Sequence, residues 1–319
     1  MGAKGLVGAA MAAWMVVGCG VAETQEPGTS SLETAKAAVV VANGVQLNGI
    51  NPNGINPNGI NPNGVLANRM LLSVRYDDVK VPGAAPFSQT WIQGSELHGL
   101  IDTQELSGPD FLQARFVADL DDGSQVNLRI DNVTQGSGAD ADVWSYRVSY
   151  LENDGQWYPL CKTLDGTDSD AIALDAVWNY GQGVAGGGSK IHSTTGFTFA
   201  CDGYALAKCV RFGYAPWRSV NGVSLEDYHQ ACTRLLRADF CGDGTPHTQN
   251  GNLVNIYDSV SVQTDAASWQ PEALWNANGA SCFTSHNRST TPIQCADGRT
   301  VSACEPSFSS STLIISETP

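Results

Sequence analysis

Nine cysteines constrain this chain more than any other feature of its sequence. One stands at position 19, and the other eight lie between positions 161 and 304. An even set of cysteines in an exported protein predicts disulfides, whereas a single remaining cysteine calls for a separate explanation. The eight that we expect to form four disulfides are Cys161, Cys201, Cys209, Cys232, Cys241, Cys282, Cys295 and Cys304.

The N-terminus explains the ninth cysteine. Residues 1–18 contain one charged side chain, Lys4, followed by an apolar run that is typical of a signal peptide and too short to span a bilayer. The run ends in Val16-Val17-Gly18-Cys19, which resembles the bacterial lipobox. This resemblance implies that Cys19 is acylated and tethers the mature protein to a bacterial membrane, on its periplasmic or cell-surface side. The alternative is an ordinary signal peptide with a chance cysteine near the cleavage site.

The composition favours a β-rich globular domain and limits its partners. Hydrophobic residues make up 42% of the chain and charged residues only 15%, with 34 glycines and 14 prolines, which indicates many turns and few charged helical faces. The formal net charge is −15, and such a chain repels polyanions. We therefore expect no nucleic-acid partner and no attraction to acidic lipid headgroups, so that the lipid on Cys19 is the predicted membrane contact.

The chain divides into segments of different composition. Residues 19–44 are rich in Thr, Ser, Glu and Ala and are interpreted as a flexible tether. Residues 45–68 repeat an Asn-Gly-Ile-Asn-Pro unit, which predicts a turn-rich linker or, alternatively, a small solenoid with stacked isoleucines. We expect the folded domain over residues 70–305 and a Ser-rich tail over residues 306–319.

Alternating apolar residues predict antiparallel strands in the first half of this domain. Residues 116–120 and 126–130 flank Asp122-Gly123, which is the pattern of a hairpin with a tight turn. Residues 144–150 alternate between aromatic or apolar and polar side chains, and a turn at 153–155 then leads to Trp157. A second hairpin is therefore expected.

Two short helices are predicted further along. Residues 204–212 form the first, and residues 224–238 form the second, where Ser224 and Asp227 make a capping box and apolar positions mark one face. The expected fold class is α+β and β-rich, with antiparallel sheets, one or two short helices and disulfides as staples.

The helical region resembles a known family. Five segments stand in order, namely residues 197–201, 205–211, 213–217, 231–232 and 237–244. Together they resemble the ADYC domain, a family of exported proteins found mostly in myxobacteria and named for a tetrapeptide. Here the segment consists of Arg237, Ala238, Asp239, Phe240 and Cys241.

Phenylalanine at position 240 replaces the family's tyrosine, so no role of a tyrosine hydroxyl is carried over. The resemblance extends from about Gln89 to Cys282, and it implies an exported domain without an established activity. No catalytic residue is carried over from the family.

Two further patterns are interpreted as turns. Residues 181–186 match GxGxxG, but a strand-like segment follows instead of the helix that a dinucleotide site needs, so a loop is expected. Two aspartate clusters offer oxygen atoms that suit Ca²⁺, yet neither has EF-hand spacing, and solvated turn residues are the favoured interpretation. The clusters are Asp119, Asp121 and Asp122, and Asp165, Asp168 and Asp170.

One group of residues could carry metal chemistry. His229, Asp239, Asp243 and His247 are a donor set that suits zinc with an open position for hydrolysis. The alternative is that Asp239 anchors local structure, Asp243 belongs to a turn and both histidines are exposed. We favour this alternative, because the spacing matches no known ligand pattern, and we expect no cofactor.

The tryptophans offer a third possibility, a solvent-facing platform that stacks on sugar rings, although most are better explained as core. Those that follow Cys19 are Trp91, Trp144, Trp157, Trp178, Trp217, Trp269 and Trp275.

These observations predict a membrane-tethered exported lipoprotein whose disulfide-rich domain is non-catalytic. The alternatives are a secreted hydrolase that uses the His/Asp group with a metal, and a glycan-binding module. Whether a protein or a glycan is the partner stays open.

Two expectations concern the interior of the domain. We expect a Cys295–Cys304 disulfide around the Asp297-Gly298 turn, while the other six cysteines allow 15 connectivities. We also expect Asp239 to accept hydrogen bonds from the 242–244 turn, with Arg237 or Arg211 balancing its charge.

Overall fold

The computed structural model of the protein describes residues 39–42, 70–163, 166–249, 252–266 and 268–319. All of them lie within one compact unit, Lys36–Pro319. The predicted signal peptide, Cys19 and the 45–68 repeat lie outside the described residues, so those interpretations stay predictions. Within the described residues, no helix is both long enough and apolar enough to cross a membrane.

β-Strands dominate the described residues, and the predicted β-rich α+β class with disulfide staples is confirmed. The strands are β1 (Val39–Ala42), β2 (Leu71–Arg75), β3 (Gln89–Gln93), β4 (Glu96–Ile101), β5 (Gln104–Ser107), β6 (Arg115–Leu120), β7 (Gln125–Gln135), β8 (Trp144–Leu151), β9 (Trp157–Pro159), β10 (Ala171–Leu174), β11 (Val177–Trp178), β12 (Lys190–Ile191), β13 (Gly196–Cys201), β14 (Ser219–Val220), β15 (Val223–Ser224), β16 (Leu253–Asp258), β17 (Gln270–Asn276), β18 (Gly279–Phe283) and β19 (Ile314–Thr318). The helices are α1 (Ala205–Arg211) and α2 (Glu226–Arg237), and short 3₁₀ turns cover Gly108–Phe111 and Gly138–Asp140.

Six strands close into an antiparallel barrel. Strands β10, β13, β2, β6, β7 and β8 follow one another in hydrogen-bonded order, and β8 pairs back to β10, while β9 extends from β8. Closure of this kind removes the exposed edges that make open sheets prone to pairing with other chains. A separate three-stranded sheet, β3-β4-β5, packs Ile92 and Leu97 against the barrel core.

Both predicted hairpins are confirmed. The first pairs Phe116 with Leu128 across β6 and β7, and both side chains are buried in the barrel. The second pairs Leu151 with Trp157 across β8 and β9. The alternation in β8 places Tyr146 inside the barrel, where its hydroxyl accepts a 2.9 Å hydrogen bond from the Leu97 backbone N–H. Burial raises the pKa of this tyrosine.

The remaining long strands form a second antiparallel sheet, in the order β1-β16-β19-β17-β18. Helix α2 packs on it, and the shared core contains Trp275, Phe240 and Phe283. This sheet corrects two of the predicted segments. Residues 39–42 of the predicted tether form strand β1, which pairs with β16, and the predicted tail over 306–319 contains β19.

The sequence did not predict β19, because the polar side chains of this strand are buried against polar partners from other strands. It lies between β16 and β17, and all five of its residues are buried. The Ser316 hydroxyl donates to Glu272 Oε2 at 2.7 Å and accepts from Trp275 Nε1 at 2.8 Å. Glu317 Oε2 accepts from the Asn255 amide at 3.0 Å. Because three of its five residues are polar, the sequence of this central strand resembles that of a solvent-exposed tail, and it was predicted as one.

Both predicted helices are present, but the environment of α2 differs from the prediction. Leu225 is its N-cap, and Ser224 Oγ accepts from the Glu226 backbone N–H at 3.2 Å, so the predicted capping box is absent. Residues 228–237 are buried all round the helix instead of along one face. The reason is that α2 lies against α1 as well as against the second sheet.

The eight downstream cysteines form four disulfides: Cys161–Cys201, Cys209–Cys232, Cys241–Cys295 and Cys282–Cys304. Four disulfides are typical of a protein that folds in an oxidising, extracytoplasmic compartment.

The predicted Cys295–Cys304 disulfide is wrong. The loop between these cysteines does not close on itself but lies across the molecule. Its Arg299 donates from Nη2 to the Cys241 backbone oxygen at 2.6 Å and from Nη1 to the Ala280 oxygen. The two disulfides hold the ends of this loop, since Cys295 is bonded to Cys241 and Cys304 to Cys282 of β18.

Candidate functional site

Residues 237–241, the segment that resembles the ADYC tetrapeptide and that we call the signature, form the end of helix α2 and the turn that follows it. The helix ends at Arg237, and Ala238 then adopts a left-handed conformation with φ 51° and ψ 42°. Glycine is the usual residue at such a position, since a side chain there is strained. The reversal turns Asp239 back towards the last turn of the helix and directs Phe240 into the core beside Trp275, at 5.2 Å between ring centroids.

The carboxylate of Asp239 is completely enclosed. Its Oδ1 accepts from the Asp243 backbone N–H at 3.1 Å, and its Oδ2 accepts from the Gly244 N–H at 3.0 Å. Oδ2 also forms an ion pair with Nη1 of Arg234, and the two side chains are 0% and 1% exposed. The predicted acceptance of hydrogen bonds from the 242–244 turn is therefore present in the structure.

The direct ion-pair partner of Asp239 is Arg234, whereas the prediction named Arg237 or Arg211 as the residue that balances its charge. Arg211 instead pairs with Asp202, at 3.0 Å between Nη2 and Oδ2. Arg237 donates to the Gly244 carbonyl oxygen at 2.7 Å, and burial lowers its pKa to about 10 while the charge of Asp239 opposes that shift. Arg234 lies five residues before Asp239, and only the left-handed turn at Ala238 brings the two together.

The remaining donors of Arg234 join α2 to two other segments. Nη1 donates to the Gly187 carbonyl oxygen, Nη2 donates to Ser189 Oγ at 2.8 Å, and Nε donates to the Ala277 carbonyl oxygen at 3.3 Å. Each of the three guanidinium nitrogens is thus engaged inside the protein. We call Arg234, Arg237 and Asp239, with the backbone groups that they contact, the polar centre.

The GxGxxG segment contributes to this polar centre. It is a loop followed by the strand β12, as predicted, and the two glycines that come after the match, Gly187 and Gly188, lie against the 243–244 turn and Arg234. A Cβ on Gly187 would stand 2.1 Å from the Asp243 carbonyl oxygen. A Cβ on Gly188, where φ is +70°, would stand 2.5 Å from Nη1 of Arg234. The glycines therefore allow two backbones to meet around a buried ion pair.

The structure does not assemble the His/Asp group into a metal site. His229 is buried, its Nε2 is 3.0 Å from the Leu206 carbonyl oxygen, and burial lowers its pKa to about 4. His247 is half-buried beside Phe240, and burial lowers its pKa as well. Within the described ranges, no three His, Cys, Asp or Glu side chains come together in a way that could hold a metal ion. The expectation that both histidines are exposed is wrong, because His229 is buried and His247 is half-buried.

The aspartate clusters serve local structure. Asp121 Oδ1 accepts from the Met70 backbone N–H at 2.9 Å, and Asp122 Oδ1 accepts from the Ser124 N–H at 3.0 Å. Asp168 pairs with Lys162 at 2.8 Å, and Asp170 pairs with Arg147. Asp119 accepts from the Gln125 amide at 2.9 Å, while Asp165 lies outside the described residues.

The tryptophans divide into core and surface residues. Trp144, Trp178 and Trp275 are buried, whereas Trp91, Trp157, Trp217 and Trp269 are partly exposed. A cleft of about 200 Å³ brings Trp178 and Trp217 together with Ile92, Leu174 and Pro216. The indole N–H of Trp217 donates to Asp142 at 2.8 Å, and that of Trp178 donates to Gln230 at 3.2 Å, so both rings are held in place.

Four charged or titratable side chains line this cleft, namely Asp175, Lys190, His192 and Glu226. Glu226, in the first turn of α2, pairs with Nζ of Lys190 and lies 3.0 Å from Nε2 of His192. The hydrogen bond from Lys190 is the main cause that lowers the pKa of the Glu226 carboxyl group. Lys190 offsets the charge of Glu226, whereas Asp175 accepts a 2.6 Å hydrogen bond from the Tyr76 hydroxyl, so the cleft has an apolar wall and a polar side with a second carboxylate.

Comparison with known proteins identifies a family. The model of the ADYC domain matches residues 108–289, which span most of the barrel, both helices, the polar centre and β18. No curated protein and no solved structure matches the chain significantly.

Proposed function

Because this chain belongs to the ADYC domain family, we propose that it is an exported lipoprotein, tethered to a bacterial membrane through Cys19, whose disulfide-rich domain is a non-catalytic module. The observation that carries this proposal is the burial of the family's signature. Asp239 is 0% exposed, and its partners are a buried arginine and two backbone N–H groups. A carboxylate enclosed in this way lacks access to a substrate, which supports an architectural role.

The cysteine arithmetic supports the lipid anchor. The four disulfides use all eight cysteines that follow residue 160, and Cys19 is the ninth. It directly follows Val16-Val17-Gly18 at the end of an apolar run. An oxidised domain on a chain that begins in this way fits a protein displayed on the periplasmic or cell-surface side of a membrane.

The hydrolase alternative receives less support from the geometry. It requires His229 and Asp239 as ligands, but Nε2 of His229 engages the Leu206 carbonyl oxygen and Asp239 neutralises Arg234. Two of its four predicted ligands therefore already have buried partners.

The anchor is tested by detergent phase partitioning and intact mass. The wild-type protein should enter the detergent phase and carry an acylated mature N-terminus at Cys19. Cys19→Ser should stay unprocessed or be released into the aqueous phase, with a domain that unfolds at the wild-type temperature. A mature protein with an unacylated N-terminus at any other residue would contradict the proposal.

A second candidate function is glycan binding, and the cleft of Trp178 and Trp217 favours it. The partly exposed indole of Trp217, whose N–H group is fixed, presents a rigid apolar face against which a sugar ring packs with its C–H groups, while Trp178 is 4% exposed and only lines the cleft. The volume of about 200 Å³ suits one ring. Titration with a methyl glucoside should detect binding that is lost in Trp217→Leu and kept in Trp91→Leu. Equal binding by the two variants would contradict a site in this cleft.

A further inference from the structure

Three basic residues form a row across the outer face of the barrel. Lys80 lies directly opposite Arg115 in an antiparallel bridge, and Arg115 lies opposite Arg129 in the β6–β7 pair. Directly opposed residues of an antiparallel pair point to the same face with Cβ atoms about 5 Å apart. Lys80 and Arg115 are exposed and Arg129 is half-buried, so the row faces solvent, in a chain whose net charge is −15.

The row is only partly neutralised by the protein. Nε of Arg129 pairs with Asp131 Oδ1 at 2.5 Å. In the part of the chain that the structure describes, neither Lys80 nor Arg115 has a carboxylate oxygen within 4.0 Å. Like charges that lie directly opposite one another destabilise a sheet. A bound anion would remove that cost.

Trp157 holds the arginines of this row in position. The guanidinium carbon of Arg129 lies 4.4 Å from the centroid of the indole, and that of Arg115 lies 5.7 Å from it. Both distances are within the range of cation–π attraction. The two guanidinium groups are therefore arranged before any ligand arrives, which lowers the entropy that binding would cost.

A cleft of about 200 Å³ opens at this row. Its lining includes Lys80, Arg115 and Trp157, together with the polar side chains of Asp78 and Asn127. The volume lies below the roughly 300–1,000 Å³ that drug-sized ligands occupy, so it suits a single ring. Counted by formal charge, Lys80, Arg115 and Arg129 together with Asp131 and Asp78 leave a single net positive charge.

This chemistry defines the ligand. One uncompensated cation suits one carboxylate, the indole suits the C–H groups of a ring, and Asp78 and Asn127 suit hydroxyl groups. An extended polyanion does not suit the site, because the remainder of the chain repels it.

We propose that the cleft at Lys80, Arg115 and Trp157 binds the carboxylate of one acidic sugar ring, either free or at the end of a glycan. The site is distinct from the cleft at Trp217. It rests on the described domain alone and does not depend on the lipid at Cys19.

The test is calorimetric titration at low salt with glucuronate, its neutral methyl ester and acetate as probes. Glucuronate should bind at least about tenfold more tightly than either of the others, because charge and ring are both recognised. Arg115→Gln should weaken glucuronate binding by about tenfold or more. Arg147→Gln, which removes a partly exposed arginine that pairs with Asp170, should leave the binding unchanged. A glycan that ends in glucuronate should bind through the same residues if the natural source is polymeric.

Equal binding of glucuronate and its methyl ester would overturn the proposal, as would equal binding of acetate. Unchanged glucuronate affinity in Arg115→Gln would also overturn it, and Lys80→Gln repeats that test at a second exposed residue. A failure of these titrations leaves the partitioning result for Cys19 unaffected. Conversion of glucuronate into a product would contradict the non-catalytic function.

Discussion

Arg234 and Asp239 form an ion pair whose side chains are 1% and 0% exposed. Two charges removed from water in this way are tolerable only while each has the other and enough hydrogen bonds. Here the backbone N–H groups of Asp243 and Gly244 and the side chain of Ser189 supply those bonds. The pair therefore joins the end of α2 to residues 181–189, which we call the glycine loop, and to the 243–244 turn that follows the signature.

The glycine loop provides a direct test of this arrangement. Gly188 and Gly183 have similar backbones, with φ +70° and φ +66°, but they differ in the space around a new Cβ. At Gly188 the nearest atom would be Nη1 of Arg234 at 2.5 Å, whereas at Gly183 it would be Thr245 Oγ1 at 3.8 Å. Gly183→Ala should lower the free energy of unfolding by about 1 kcal/mol, the cost of a left-handed alanine.

Gly188→Ala should cost at least about 3 kcal/mol, because it also displaces one partner of a buried pair. Urea denaturation of the two variants measures the difference. Similar losses in both would mean that the loop does not support the ion pair.

The buried histidine predicts a pH dependence of stability. Burial lowers the pKa of His229 from 6.5 to about 4, so the folded protein favours the neutral imidazole. The stability that the neutral imidazole contributes to the folded protein is fully present above the unfolded-state pKa of 6.5 and is lost as the pH falls towards 4. Between pH 7 and pH 4 the loss from this residue should reach about 3 kcal/mol.

His229→Gln should show a flatter decline of the unfolding free energy over this pH range, even if it is less stable at pH 7. His192→Gln serves as the matched control, because the His192 side chain is 78% exposed. It should keep the wild-type slope. A His229→Gln protein with the wild-type slope would show that the imidazole does not titrate in this way.

The disulfide pairing can be read from peptides of the unreduced protein. Cys295 should be found linked to Cys241, and Cys304 to Cys282, with no free thiol among the eight. Loops of 54 and 22 residues correspond to about 3–4 kcal/mol each through restriction of the unfolded chain. Cys241→Ser with Cys295→Ser should lower stability by that amount. A peptide that joins Cys295 to Cys304 would refute the pairing.

Local patterns were sufficient to predict the barrel hairpins and both helices. Residues 116–120 and 126–130 place apolar side chains at every second position on either side of an Asp-Gly turn, so that the pairing of these two strands follows from the sequence alone. β19 was not predictable in this way, because Ser316 and Glu317 are buried by pairing with Trp275, Glu272 and Asn255, and none of these is near in sequence.

The polar centre was predictable only in part. Asp239 beside the Gly242–Gly244 turn predicts hydrogen bonds from backbone N–H groups, and these are present. Arg234 was missed because the left-handed turn that brings it to Asp239 occurs at an alanine instead of a glycine. An alanine at position 238 does not indicate a left-handed turn, so the sequence did not predict that the chain reverses there.

The central claim is that Asp239 of the signature has a structural role, in which it holds the end of helix α2 to residues 187–189 and 243–244. The substitution Asp239→Asn tests this claim most directly. The substitution keeps the shape of the side chain but leaves Arg234 buried without a counter-charge. Asp77→Asn is the matched control, since Asp77 pairs with Arg75 at the surface and is 57% exposed.

The measurement is the free energy of unfolding in urea for both variants and the wild type. Asp239→Asn should lose about 3–5 kcal/mol, and Asp77→Asn should lose about 0–1 kcal/mol. An Asp239→Asn protein as stable as the Asp77→Asn control would contradict the architectural role of the signature.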